Sequence, residues 1–229
     1  MNQVIMNNNG FIDKFIGDAI MGIFDEQGDN HYNEAYLAVK TAIEMHQSLN
    51  GYNENRIKNG YLPVSIGIGI HSGPVVVGTV GSEDRLQTTV LGDTVNAAAR
   101  LEGITKLYNA NTVISQQTQQ FIKTDPKMIL RTLDYVQVKG KEEAMRIYEV
   151  INCDPPEIQE LKSKIMLRYQ TGLDNYYKRE WDMATELFTE CLSIFPDDAV
   201  CKLYLNRIAE YKQNPPDEDW EGIYVATSK

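Results

Sequence analysis

The beginning of the chain shows two short apolar runs of strand length. Residues 11–16 and 19–24 are separated by Gly17 and Asp18, which predicts a β-hairpin with a two-residue turn. Glycine adopts a positive φ without steric cost, so we expect a tight turn that exposes Asp18 at its tip. So few residues precede the hairpin that the chain is expected to enter a strand almost at once.

A helix and an alternating strand are predicted to follow the hairpin. Residues 29–30, Asp-Asn, offer a cap, and apolar residues then recur with a 3.6-residue period to about residue 56. Residues 62–70 alternate strictly, and Gly67 and Gly69 leave one face of this predicted strand nearly bare. A bare strand face lets another backbone or a ligand come close.

The rest of the first 150 residues predicts further strands and helices in mixed order. We expect strands at 75–80 and 87–91, a helix at 94–102 that Gly103 ends, a strand at 112–115, a short helix at 116–123, and a hairpin of strands 131–138 and 144–150. This order predicts an α+β sandwich with a mainly antiparallel sheet.

A change of pattern at Asp-Pro-Pro, residues 154–156, predicts a domain boundary. The predicted domains are residues 1–152 and a helical segment with its tail, residues 157–229.

Within the second segment, Gly172, Ala184, Phe188 and Pro196 have the spacing of a tetratricopeptide repeat. An unrelated helical hairpin is the alternative. Because one isolated repeat cannot bury its apolar face, we expect this segment to dock on the first domain or on a protein partner.

Composition narrows the choice of partners. The formal net charge of -10 argues against non-specific binding to nucleic acid or to an anionic membrane surface. No apolar run reaches the roughly 18 residues of a membrane span. Cys153, Cys191 and Cys201 lack metal-ligand spacing and suit a reducing compartment. A cytoplasmic location, alone or as part of a longer membrane-bound protein, is the simplest expectation.

One predicted helix carries a pair of polar side chains suited to a ligand. Asn96 and Arg100 are four residues apart and therefore share a helix face, with Val95, Ala98 and Ala99 on the apolar side. An amide beside a guanidinium can bind sugar oxygens and phosphate. Taken alone, the pair is better explained as an ordinary solvated polar face.

Four motifs together resemble the class III nucleotidyl cyclase catalytic domain. They are Lys14-Phe-Ile-Gly-Asp18-Ala, the Gly-Ile-Gly-Ile-His-Ser-Gly run of residues 67–73, Gly92-Asp-Thr-Val-Asn96-Ala-Ala-Ala-Arg100-Leu-Glu, and Val138-Lys139-Gly140-Lys141. The resemblance covers about residues 8–151. It looks nearest to bacterial adenylate cyclases that carry helical repeats after the catalytic domain.

The resemblance implies an activity and its metal ions. Such enzymes convert a nucleoside triphosphate into its 3′,5′-cyclic monophosphate and pyrophosphate, with two Mg²⁺ or Mn²⁺ ions. Asp18 matches the second of the family's two metal aspartates. Lys14 and Thr89 match the two contacts to the base, and this pair favours ATP over GTP.

The resemblance also assigns the remaining contacts to the nucleotide. Asn96 matches the residue that orients the ribose, and Arg100 the one that stabilises charge on the α-phosphate. Lys139 and, less closely, Arg85 match contacts to the terminal phosphates. A symmetric homodimer with active sites at the interface is implied. His71 is expected to be structural.

The chain departs from the family at its start. The family's first metal aspartate precedes the segment that leads into the hairpin, and Asp13, next to Lys14, is not expected to replace it. We therefore expect a truncated catalytic domain with little or no turnover by itself. A non-catalytic nucleotide-binding or dimerisation module is the alternative, whereas Lys14 disfavours a guanylate cyclase.

Overall fold

The computed structural model describes residues 1–25, 34–82, 85–122, 125–138 and 144–226. Its helices are α1 (Asn2–Asn7), α2 (Glu34–Lys58), α3 (Asp93–Tyr108), α4 (Gln116–Ile122), α5 (Pro156–Tyr177), α6 (Trp181–Ile194) and α7 (Ala199–Gln213). Its strands are β1 (Gly10–Ile16), β2 (Ala19–Phe24), β3 (Ile68–Ile70), β4 (Val76–Ser82), β5 (Arg85–Leu91), β6 (Thr112–Ser115), β7 (Leu130–Val138), β8 (Ala144–Val150) and β9 (Tyr224–Ala226).

The main sheet has five strands in the order β3-β6-β8-β7-β9. Its inner pairs, β6 with β8 and β8 with β7, are antiparallel, whereas β3 and β9 join the two edges in parallel. The pairs β1–β2 and β4–β5 form two separate antiparallel hairpins. The mainly antiparallel α+β architecture predicted from the order of elements is therefore confirmed.

Alternation along the sheet strands divides the core between the two faces of the main sheet. In β6, Val113 joins a cluster with α3 and with the helices α5, α6 and α7, while Ile114 joins a second cluster with α2 and α4. Both side chains are fully buried. The period of two in a strand explains why neighbouring residues contribute to opposite layers.

The first hairpin lies where the sequence predicts it. Strands β1 and β2 flank the turn, and Gly17 has φ +64°. The expectation that the chain enters a strand almost at once is wrong, because the six-residue helix α1 comes first. Asn8 after this helix donates a hydrogen bond of 2.6 Å to Glu44, which ties α1 to α2. The predicted cap of α2, residues 29–30, lies outside the described residues.

The strand predicted at residues 62–70 is mostly irregular, and only β3 at its end pairs with a neighbour. The side chain of Asn53 donates to the carbonyl of Val64 and accepts from its backbone N–H, both at 2.8 Å. An amide side chain thus takes the hydrogen bonds that a strand neighbour would make. Alternation alone does not reveal this competing partner.

Helix α3 is longer than predicted. It continues past Gly103 to Tyr108 and is capped by Asn109, which adopts a left-handed φ of 49°. Its buried face is also different from the predicted one: Ala97, Leu101 and Ile104 are buried, rather than Val95, Ala98 and Ala99. A single glycine costs a helix only about 1 kcal/mol, which burial of this face outweighs.

The residues that suggested a helical repeat meet where α5 crosses α6. Ala184 and Phe188 are fully buried, and a Cβ added to Gly172 would lie 3.1 Å from the Phe188 ring. The small residues therefore allow the two helices to approach closely. The identity of the segment as a tetratricopeptide repeat stays a prediction.

Charged side chains connect these helices with the main sheet. Arg131 of β7 pairs with Glu149 of β8 at 2.9 Å and with Asp198, before α7, at 2.5 Å. Lys162 of α5 reaches Glu149 at 2.5 Å and Asp154 at 2.7 Å. All five side chains are almost completely buried. Because a buried charge is costly without a partner, the network ties α5 and α7 to the sheet.

A second buried group lies around Asp134 of β7. Its carboxylate accepts from the Tyr108 hydroxyl at 2.6 Å and pairs with Arg207 at 2.5 Å. The hydroxyl of Tyr204 donates to the backbone carbonyl of Leu133 at 2.7 Å. Helices α3 and α7 therefore meet the same strand at one point.

No helix within the described ranges is long and apolar enough to cross a membrane.

Candidate active site

The two residues predicted to contact the base meet between the β1–β2 hairpin and the β4–β5 hairpin. The Lys14 ammonium on β1 lies 2.5 Å from the Thr89 hydroxyl oxygen on β5 and donates to it. Thr89 is 6% exposed, while the Lys14 side chain retains 30%. The lysine is therefore the more accessible member of the pair.

Asp13 completes this cluster. The Thr89 hydroxyl donates to the Asp13 carboxylate at 2.8 Å, and the Lys14 ammonium lies 3.3 Å from the same oxygen. The β1–β2 register shifts between Ile12 and Lys14, which leaves Asp13 as the extra residue of a bulge. The carboxylate is only 5% exposed. Sequence reasoning considered Asp13 only as a replacement metal ligand, because a bulge has no signal in the hydrophobic pattern.

Asp18 lies at the exposed tip of the first hairpin, as predicted from the turn. The neighbouring Gly17 has φ +64°, and nothing lies within 4 Å of the position that its Cβ would occupy. An exposed carboxylate is a suitable hard-oxygen ligand for Mg²⁺ or Mn²⁺. In the part of the chain that the structure describes, however, no three His, Cys, Asp or Glu side chains are grouped to hold a metal ion. Asp18 thus offers one ligand of a site that needs others.

Asn96 and Arg100 lie in the first two turns of α3. Asn96 is exposed and Arg100 half-buried, and neither side chain has a hydrogen-bond partner within residues 1–25, 34–82, 85–122, 125–138 and 144–226. Their spacing of four residues places both on one helix face, as expected. No described contact joins them to the Lys14–Thr89 pair. The two members of each predicted pair therefore lie close to each other: Lys14 is next to Thr89, and Asn96 shares a helix face with Arg100.

Strand β3 positions α3 by close backbone contact. A Cβ added to Gly69 would lie 2.2 Å from the Glu102 nitrogen and 2.4 Å from the Ala98 carbonyl oxygen. One added to Gly67 would lie 2.2 Å from the Thr105 hydroxyl oxygen. These distances are too short for any real side chain. The bare face therefore packs against α3, and at Gly69 the close neighbour is backbone, one of the two possibilities that a bare strand face allows.

The two predicted contacts to the terminal phosphates are not tested. Lys139 lies outside the described residues. Arg85 begins β5, where its backbone pairs with Ser82, and its side chain is not described. Both assignments stay predictions.

His71 hydrogen-bonds to a hydroxyl group next to the main sheet. Its Nδ1 lies 2.8 Å from the Ser115 oxygen at the end of β6. Ser115 in turn lies 3.2 Å from the Thr118 hydroxyl. This chain of hydroxyl contacts between β6 and α4 is compatible with the expected structural role of His71.

The clearest pKa shifts belong to groups buried where the helices α3, α5 and α7 pack on the main sheet, rather than to the candidate site. Burial raises the pKa of Tyr108, and the neighbouring Asp134 carboxylate raises it further. Burial raises the pKa of Asp154, although Lys162 partly opposes this. Perturbed groups often mark functional sites, but here each of these groups has a direct structural partner. Sequence reasoning missed this network, because it joins charges far apart in the chain.

Comparison with known sequences agrees with the motif assignment. The sequence model of the family described as adenylate and guanylate cyclase catalytic domain matches residues 2–152. A terminal-differentiation-specific adenylate cyclase of Dictyostelium discoideum is 40% identical over 204 residues, 89% of this chain. An adenylate cyclase of Anabaena cylindrica is 44% identical over 155 residues, 66% of this chain. The chain spans only 9% and 30% of the lengths of these two relatives.

Solved structures show the same fold. The adenylyl cyclase CyaB from P. aeruginosa matches with a TM-score of 0.58 and 29% identity, over 65% of this chain and 74% of that one. A guanylyl cyclase crystal structure matches with a TM-score of 0.55 and 32% identity, over 67% and 76% of the respective chains. Overall likeness therefore extends to cyclases of both base specificities, and only particular residues can distinguish between them.

Proposed function

This chain belongs to the family of adenylate and guanylate cyclase catalytic domains, and from that premise we propose that it is an adenylate cyclase domain. It converts ATP to 3′,5′-cyclic AMP and pyrophosphate for signalling inside the cell. The two adenylate cyclases that are 40% and 44% identical support this reaction. A cytoplasmic location is supported by the three cysteines, which suit a reducing compartment, and the acidic composition argues against nucleic acid as a partner.

The observation that carries the choice of ATP is the contact between Lys14 and Thr89. A lysine ammonium only donates hydrogen bonds, which suits the acceptor N1 of adenine. A threonine hydroxyl can accept from the exocyclic amine of the same base. Guanine carries an N–H where adenine has its N1 acceptor, so the contact with the Lys14 ammonium would set a donor against a donor. The pair therefore favours adenine.

Asn96 and Arg100 supply the contacts nearest the reacting atoms. The 3′-hydroxyl of the ribose attacks the α-phosphorus while pyrophosphate leaves on the opposite side. Asn96 orients the ribose, and the Arg100 guanidinium stabilises the negative charge that grows on the α-phosphate oxygens. The lack of a described partner for either side chain leaves both able to bind the nucleotide.

Asp18 is the proposed metal ligand of this chain, with Lys139 and Arg85 at the terminal phosphates. Two divalent ions, Mg²⁺ or Mn²⁺, would lower the pKa of the attacking hydroxyl and neutralise phosphate charge. Because one carboxylate holds such ions weakly, we expect slow turnover by the 229 residues alone.

The active form is proposed to be a homodimer with its sites at the interface. Phe15 and Ile16 of β1 are 64% and 60% exposed, and Val76 and Val77 of β4 are 67% and 63% exposed. Apolar side chains concentrated on two neighbouring hairpins are typical of a surface that another protein covers. The occupant proposed here is a second copy of the chain, as in a symmetric dimer.

The helices α5, α6 and α7 are proposed to dock permanently on the catalytic domain. Support comes from the ion pairs of Arg131 with Asp198 and of Asp134 with Arg207. The likeness to the Dictyostelium discoideum cyclase over 204 residues also exceeds the matched catalytic domain in length.

The test is cyclic AMP formation from Mn²⁺ and ATP by the 229-residue chain and by any longer natural chain that contains it. We expect Arg100→Ala to lower the rate by about 100-fold or more, as for loss of one group that stabilises transition-state charge. Nucleotide binding without product in the longest form would favour the alternative of a non-catalytic nucleotide-binding module. A rate that Arg100→Ala leaves unchanged would contradict the proposal.

A further inference from the structure

The bulge in β1 turns two successive side chains toward one hydroxyl group. In a regular strand, consecutive side chains point to opposite faces. Here Asp13 and Lys14 both contact Thr89, at 2.8 Å and 2.5 Å. The bulge between Ile12 and Lys14 makes this possible, since it adds one residue without a partner in β2.

The hydrogen-bonding capacities of the three groups fix the direction of every bond. Lys14 has donors only, and an ionised Asp13 carboxylate has acceptors only. Thr89 has one proton and two lone pairs, so it must accept from Lys14 and donate to Asp13. Its single proton is thereby used, and the one capacity left on its oxygen is a second lone pair.

We infer that Asp13 determines base specificity through Thr89, an inference that rests on the adenylate cyclase function proposed above. With its proton held by Asp13, the Thr89 hydroxyl can only accept from a base. It therefore matches the exocyclic amine of adenine and cannot donate to the carbonyl oxygen of guanine. Without Asp13, the hydroxyl could rotate and serve either base. Asp13 is thus a positioning residue and does not itself contact the nucleotide.

A purely structural role of Asp13 makes a different prediction. The carboxylate is 5% exposed and lies 3.3 Å from the Lys14 ammonium, so it also neutralises that charge and holds it in place. If this were its only role, its loss would act through Lys14 and would change the ATP-to-GTP ratio equally with and without the Thr89 hydroxyl. Orientation of the hydroxyl changes the ratio only while Thr89 carries that hydroxyl, because a carbonyl and an amine need opposite partners.

The experiment measures dissociation constants of ATP and GTP by displacement of a fluorescent ATP analogue, with Ca²⁺ present to support binding. The 229-residue chain is compared with its Asp13→Ala variant, and thermal unfolding confirms that the variant is folded. We expect the preference for ATP over GTP to fall about tenfold, the range of a single misdirected hydrogen bond. Should Asp13→Ala fail to fold, Asp13→Ser replaces it, since its hydroxyl can both donate and accept.

A double-mutant cycle isolates the route through Thr89. Thr89→Val removes the hydroxyl, so adding Asp13→Ala to it should leave the ATP-to-GTP ratio unchanged. Asp13→Glu keeps an acceptor-only carboxylate and should retain most of the preference. The inference on Asp13 would be overturned by an unchanged ATP-to-GTP ratio in Asp13→Ala, or by an equal change with and without the Thr89 hydroxyl. Neither result would contradict the proposed adenylate cyclase function. If the unmodified chain bound neither nucleotide, or had no preference for ATP, the proposed function would fail with it.

Discussion

A guanidinium nitrogen of Arg207 in α7 lies 2.5 Å from a carboxylate oxygen of Asp134 in β7. The same oxygen accepts from Tyr108, the last residue of α3, at 2.6 Å. Because α3 also carries Asn96 and Arg100, the last long helix is connected to the helix of the candidate active site through one buried carboxylate. The stability of the catalytic domain should therefore depend on the segment that follows it.

Removal of Arg207 is expected to destabilise the whole chain. Asp134 is completely buried, so Arg207→Ala leaves a carboxylate with no opposing charge. The expected loss is about 3–5 kcal/mol in the free energy of unfolding, measured by urea denaturation. Arg168→Ala is the matched control, because Arg168 and Glu190 form an ion pair with both side chains 50% exposed. Its loss should cost at most about 1 kcal/mol. Equal costs would show that the buried pair does not hold the segment in place.

Gly69→Ala is expected to force β3 away from α3. The new methyl group would lie 2.2 Å from the Glu102 backbone nitrogen, and backbone cannot rotate aside as a side chain can. We expect a loss of about 3 kcal/mol or more in stability and reduced cyclic AMP formation.

The control for this change is Gly103→Ala in the exposed part of α3. Nothing lies within 4 Å of its Cβ position, so alanine should stabilise the helix by about 0.5–1 kcal/mol. Thermal unfolding of the two variants should shift in opposite directions. A Gly69→Ala variant as stable as the unmodified chain would contradict the close approach of β3 and α3.

Asp18→Asn should weaken the response to divalent ions. The amide keeps the size of the side chain but loses the charge that attracts Mg²⁺ or Mn²⁺. We expect cyclic AMP formation at a fixed, low Mn²⁺ concentration to fall by about 100-fold, with partial recovery as the Mn²⁺ concentration rises.

Asp25→Asn provides the comparison, since this exposed carboxylate follows β2 at the opposite end of the hairpin from the turn. Its metal dependence should match that of the unmodified chain. If both substitutions had the same effect, the hairpin tip would not be a metal ligand.

His46 is expected to make the stability pH-dependent. Burial lowers its pKa from the ordinary value of 6.5, although a hydrogen bond to the backbone of Asn111 partly opposes this. The unfolded chain therefore takes up a proton at His46 at a higher pH than the folded chain does. The contribution is fully present above pH 6.5 and is lost as the pH falls below it.

Urea denaturation between pH 8 and pH 5 measures this effect. His46→Gln removes the titrating group and can still hydrogen-bond near Thr112, whose hydroxyl lies 3.2 Å from the imidazole. The variant should lose less stability than the unmodified chain over this range. An identical pH dependence would exclude His46 as its source.

Local patterns in the sequence determined the elements that carry the candidate site. The Gly17-Asp18 turn and its flanking apolar runs are enough to specify a hairpin, because a positive φ at glycine and a period of two are local properties. The spacing of Asn96 and Arg100 likewise follows from the helical period alone. The approximate positions of β6, α4, β7 and β8 were predicted for the same reason.

Tertiary structure alone decided which distant residues meet. The bulge that brings Asp13 to Thr89, the Asn53 side chain that replaces a strand neighbour at Val64, and the pairing of β9 with β7 all depend on partners far along the chain. The same holds for the buried ion pairs, since a charged residue has no local signal that tells whether a partner will cover it. The sequence by itself therefore determined elements and the residues on them, whereas packing in three dimensions determined their contacts, because hydrogen bonds and burial are satisfied across the whole fold.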